Sequence, residues 1–128
     1  MFLKKDTLTY GECSVTLYEL SGLQRIEYLE YIQQRTAHYD EAIAAGDDVG
    51  NRVAFVQLGV DINAWLVSRS LWNGDQTSDQ AKLCDTVMSS WSYEALGIGA
   101  DIVLSLSGMA VSPAGDDDAT EATSPEKP

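Results

Sequence analysis

Two cysteines, a single histidine and one aspartate set inside an apolar run are where chemistry would be sought first in this 128-residue sequence: Cys13, Cys84, His38 and Asp61. A structural zinc site draws on closely spaced Cys and His donors, typically Cys-x-x-Cys pairs, and this chain has no such pair and only one His. In a reducing cytosol Cys13 and Cys84 are expected to be buried thiols rather than a bridge. His38 lies among Gln34, Ala37 and Glu41, so a nucleophile-and-base arrangement has almost nothing to draw on. A catalytic Asp61 would need a second acid, a His or a nucleophile in a recognisable pattern around it, and none is present. No Gly-x-Gly-x-x-Gly, phosphate loop, Gly-x-Ser-x-Gly elbow or His-Glu-x-x-His motif occurs. The expectation is a protein that is not an enzyme and carries no catalytic residue, cofactor or metal.

The elements that would position these side chains follow from hydrophobic periodicity. Alternation through Leu8 and Tyr10, then Cys13, Val15 and Leu17, around a Tyr10-Gly11-Glu12 turn predicts a β-hairpin over Phe2–Tyr10 and Cys13–Tyr18. Ser21-Gly-Leu-Gln24 is a capping box that opens a first helix. Its buried face is expected to hold Tyr28, Leu29, Ile32, Thr36, Tyr39 and Ile43, with Glu27, Glu30, Gln34, His38 and Glu41 outside and Gly46 as the stop. The tyrosines at this spacing are core or partner-facing rather than a ligand cage.

After the polar break at Asp47, Asp48, Gly50 and Asn51, a second helix is predicted from about Asn51 to Trp72. Only Gln57, Asp61, Ala64 and Ser68 make a polar or small stripe on it, so it must be covered nearly all round, by its own chain or by another. That surplus makes Phe55, Leu58, Ile62, Trp65 and Leu66 the candidate partner-binding residues. A membrane span is excluded, because Gln57, Asp61, Asn63 and Arg69 interrupt the run. Asn73-Gly74-Asp75 ends the second helix, and Ser78 starts a third with Leu83, Cys84, Val87, Met88 and Trp91 on its core side. Ser92 caps a fourth helix carrying Leu96, Val103 and Leu106 and stopping at Gly108, with Gly97 and Gly99 marking close packing or a local break. Trp72 and Trp91 are expected in the core. The fold class is thus mainly α: a small bundle of about four helices after an amino-terminal β-hairpin, forming one domain over residues 1–110.

From residue 111 the composition changes. No large apolar side chain follows Val111, so the segment 111–128 is expected to be a disordered acidic tail. Twenty acidic against eight basic side chains give a net charge of −12. Five acids and Lys127 give the tail −4, which leaves −8 on the rest, so the acidity belongs to the whole chain and argues against a partner bound through phosphates. Such self-repulsion suits a protein that must expose apolar surface without precipitating. The opening Met1-Phe2-Leu3-Lys4-Lys5 has no apolar signal region, and a cytoplasmic protein is expected.

Met1-Phe2-Leu3-Lys4, Val15-Thr16-Leu17 followed by Glu19-Leu20-Ser21, and Leu23-Gln24-Arg25-Ile26-Glu27 resemble the amino-terminal block of the lambda minor tail protein G family. Ser70-Leu71-Trp72, Trp91 with Glu94-Ala95, and Leu106-Ser107-Gly108-Met109 follow in that family's order, so the likeness spans residues 1–109 and is weakest between Gln33 and Phe55. What the resemblance implies is a phage tail assembly chaperone that works in the host cell cytoplasm and is not part of the mature virion. Its implied partners are the tape measure protein, kept soluble during tail tube assembly, and the major tail protein, recruited by a longer form made through ribosomal frameshifting. This chain resembles the short form, and self-association is a further expectation. The alternative of another class is an acidic DNA mimic or inhibitor, whose acids would be regularly spaced on a rigid surface; here the densest cluster, Asp116 to Asp118, lies in the tail.

Overall fold

The computed structural model describes residues 2–109 and is mainly α, with four helices following a two-stranded antiparallel hairpin. The predicted tail, 111–128, lies outside the described residues. Strands β1 (Lys5–Tyr10) and β2 (Cys13–Tyr18) pair with Leu8 opposite Val15 and Tyr10 opposite Cys13. The two-residue turn between them needs φ of 63° at its first position, which Gly11 supplies without steric cost. A hairpin of this size is not stable alone. It buries Leu8 and Leu17 against helices α2 (Asp48–Gly74) and α4 (Tyr93–Leu106).

Helix α1 (Gly22–Ala45) begins with both bonds of the capping box in place: Gln24 N donates to Ser21 Oγ and Ser21 N to Gln24 Oε1. Helix α2 starts earlier than the sequence suggested, because Asp47 caps it by accepting from Gly50 N at 2.7 Å. Helix α3 (Gln80–Ser90) is capped by Asp79 rather than Ser78, whose carbonyl instead accepts the Trp72 indole N–H at 2.9 Å. Ser92 caps α4 as expected, and Gly108, at φ 72°, turns the chain after it.

Helix α2 is the centre: α1, α3, α4 and β2 all pack on it. Its small and polar stripe turns inward, with Asp61, Ala64 and Ser68 buried, and Leu66 and Val67 also have no free surface. Gly99 lets α4 close on the core. A Cβ there would stand 3.0 Å from Val67 Cγ2 and 3.1 Å from Trp91 Cζ3, whereas one at Gly97 would meet nothing within 4 Å.

Several expected core positions differ. Leu29 is 58% exposed and Thr36 is exposed, while Gln24 and Tyr28 are buried. The cause is that α1 makes its main packing with α2 alone, and the buried strip of α1 is chosen by polar and aromatic partners on α2 rather than by hydrophobicity. Trp72 and Trp91 are only half-buried, since each lies at an end of a helix where one ring face meets solvent. Cys13 is exposed beside the hairpin turn and Cys84 is half-buried.

Candidate functional site

Helices α1 and α2 run antiparallel, joined only by Gly46 and Asp47. Four sets of paired side chains link them like rungs. Gln24 pairs with Asn73, the rings of Tyr28 and Tyr31 each lie 5.7 Å from that of Trp65, Arg35 meets Asp61, and Tyr39 meets Phe55 edge-on at 6.3 Å. From Gln24 to Tyr28 and from Asp61 to Asn73 the rungs belong to the core. Beyond Asp61 towards the loop neither helix has a fully buried residue, so this end forms an arm in which the two helices chiefly have each other.

The loop is built for close approach. A Cβ at Gly46 would come within 2.9 Å of both the Ala42 carbonyl oxygen and Asn51 Oδ1, so glycine is needed here for space rather than for its φ of −100°.

Asp61, the carboxylate singled out in the sequence, sits at the root of the arm and accepts from Arg35 Nη2 and Gln57 Nε2, both at 2.8 Å. A carboxylate this buried is tolerable because it is paired and hydrogen-bonded. Both its oxygens are engaged, so it is a structural anion. Neighbouring Tyr31 has its pKa raised, first by burial and then by the Asp61 charge, and Tyr28 by burial. His38 is exposed. Among the described residues no three His, Cys, Asp or Glu side chains converge in the manner of a metal site, and no helix is long and apolar enough to cross a membrane.

What the arm presents is apolar. Val49, Val53 and Val56, at i, i+4 and i+7 on α2, are 69%, 63% and 47% exposed, and Phe55 on the neighbouring flank is 60% exposed. Leu23, Ile26 and Leu29 continue exposed apolar surface along α1. A second feature is an apolar cleft of about 420 Å³ between the hairpin and the α3–α4 junction, lined by Leu8, Val15 and Trp91 with Cys13 and Tyr10 at its hairpin side. Tyr10 closes part of it by donating its hydroxyl to Glu94 Oε1 at 2.9 Å.

The five residues predicted for partner binding do not share one surface. Phe55 is exposed, Leu58 and Ile62 are half-buried, and Trp65 and Leu66 lie in the core, Trp65 between the α1 tyrosines. Sequence reasoning did not pick out Val49, Val53 and Val56. Their spacing is plain once Val49 is counted as helical, but the cluster Asp47, Asp48, Gly50 and Asn51 reads as a loop.

The family model described as bacteriophage lambda tail assembly chaperone, TAC, protein G matches residues 1–127. Tail assembly protein G of Escherichia phage N15 is 38% identical over 118 residues, covering 85% of this chain and 78% of that protein. Tail assembly protein G of Escherichia phage lambda is 32% identical over 117 residues, covering 85% and 79%. The N15 tail assembly protein GT matches at the same 38% identity, but the matched part is 44% of its length. No solved structure matches.

Proposed function

Because the chain belongs to the bacteriophage lambda tail assembly chaperone family, protein G, we propose that within this chaperone role it holds the tape measure protein soluble while the tail tube is built around it. The observation that carries the proposal is the exposed apolar surface of the α1–α2 arm, Val49, Val53, Phe55 and Val56 on one helix and Leu23, Ile26 and Leu29 on the other. A long helical client with apolar stripes aggregates unless covered, and helices that expose apolar side chains can cover it in the helix-in-groove mode. The net charge of −12 keeps such a complex dispersed. Many weak contacts suit a chaperone that tube subunits must later displace.

Two finer parts of the proposal follow from the longer GT relatives, which extend well past the matched region. A frameshifted long form would recruit the major tail protein, and both forms would act in the host cytoplasm and leave before the virion is complete. Co-expression with the tape measure protein of the same phage is the test. The expected result is its conversion from aggregate to a soluble complex holding several copies of this chain. If the tape measure protein stays insoluble beside a folded chaperone, the proposal is wrong for this form.

A further inference from the structure

Within that exposed surface, we infer that the tip of the α1–α2 arm is a docking site for one chemical kind of partner, an amphipathic helical segment whose apolar stripe is flanked by Lys or Arg. The inference deepens the client-holding proposal and rests on it only for the identity of the natural partner. Val49, Val53 and Val56 form a straight row over two helical turns, about 10 Å long, which fits two to three turns of a second helix. Around the row stand the exposed carboxylates of Asp40 and Glu41 at the end of α1 and Asp47 and Asp48 at the start of α2. Asp47 spends one oxygen on the Gly50 amide but keeps its charge. The cations nearby do not offset this group: Arg35 is taken by Asp61, and Arg52 stands alone.

An apolar row with an acidic rim selects its partner by charge. A second copy of this chain would bring the same four carboxylates and a net charge of −12 against the first, and like charges set face to face oppose docking. A basic-flanked helix meets both requirements. The charges then set register and arrival rate, and the valines hold the contact.

The experiment uses the full chain and two fluorescent peptides of about five helical turns, ~18 residues. One carries Leu on one face and Lys on its flanks, and the other has Glu in place of Lys. The Leu/Lys peptide is expected to bind, with the Leu/Glu peptide weaker by roughly tenfold or more. Val53→Asp with Val56→Asp should abolish binding of the Leu/Lys peptide, and Glu41→Lys with Asp48→Lys should shift the preference towards the Leu/Glu peptide. In the unsubstituted chain the methyl NMR signals of Val49, Val53 and Val56 should move on titration, a readout independent of how well any variant folds. Equal binding of both peptides overturns the inference, as do unmoved valine methyls or Leu/Lys binding that survives the double Asp change. A dimer that the double Asp change dissociates would also overturn it, by giving the surface to a second copy. Solubilisation of the tape measure protein without Leu/Lys binding would leave the client-holding proposal standing and remove this one.

Discussion

Gln24 and Asn73 exchange two amide hydrogen bonds across 49 positions of sequence, Nε2 donating to Oδ1 at 2.9 Å and Nδ2 to Oε1 at 2.7 Å. The same Gln24 oxygen accepts from Ser21 N, and Asn73 Nδ2 also reaches the Glu19 carbonyl at 3.1 Å. One buried amide pair therefore joins the start of α1, the end of α2 and the strand-to-helix connection.

Asn73→Ala removes that junction and leaves the Gln24 amide and the Glu19 carbonyl short of partners. Each unsatisfied buried group costs about 1–3 kcal/mol, so the expected loss is about 2–4 kcal/mol. Thermal melting should fall by roughly ten degrees or more. A change of a degree or two would mean that water replaces the amide.

The three tryptophans should rank by burial. Trp65→Ala removes a ring that touches both Tyr28 and Tyr31 and should cost about 3–5 kcal/mol. Trp72→Ala and Trp91→Ala, at half-buried positions, should cost less. Chemical denaturation of the three variants checks the order, and an equal or greater loss at Trp72 or Trp91 would contradict the packing described.

Helix α4 offers a paired test at two glycines. Gly97→Ala adds a methyl into open space in a helix and should stabilise by about 0.5–1 kcal/mol. Gly99→Ala pushes a methyl against Val67 and Trp91 and should destabilise by about 1–3 kcal/mol. Opposite signs in one melting experiment are the expected outcome.

Alkaline pH should weaken the α1–α2 contact. Burial raises the pKa of Tyr28 and Tyr31 above 10.0, and Asp61 raises that of Tyr31 further. The fold thus favours the protonated phenols, so their contribution is fully present below about pH 10 and is lost as pH rises through the raised native values. Tyrosinate absorbance should show two late-titrating phenols. Replacing both by Phe should remove the late step, and its persistence would assign it elsewhere.

The sequence carried most of the architecture in local signals. The Ser21–Gln24 box, the Ser92 cap, the Gly11 turn and the alternation of Val15 and Leu17 depend on neighbours a few residues away, and each is found where it was expected. The misassignments share a different cause. Hydrophobic periodicity scores Leu29 as inside and Gln24 as neutral, but the buried strip of α1 is decided by Asn73, Trp65 and Asp61, partners on another helix that no spacing rule reveals. The same limit sent Trp65 to the partner surface and Trp72 to the core. For the candidate site, the apolar surplus of α2 was legible, whereas its location was not, because which half of a helix lacks neighbours depends on where α3 and α4 end.

The junction at Ser107 has a consequence for how such a protein can be extended. Ser107 Oγ accepts from Leu20 N at 3.0 Å, and the Ser107 carbonyl accepts from Arg25 Nη2, so the described chain leaves at Met109 beside the first turn of α1. From Arg25 to the Gly46 loop α1 rises about 30 Å. Anything appended after the helices therefore starts at one pole of the molecule while the valine row occupies the other, which allows a chaperone bound to one component to keep its opposite end free to meet the next.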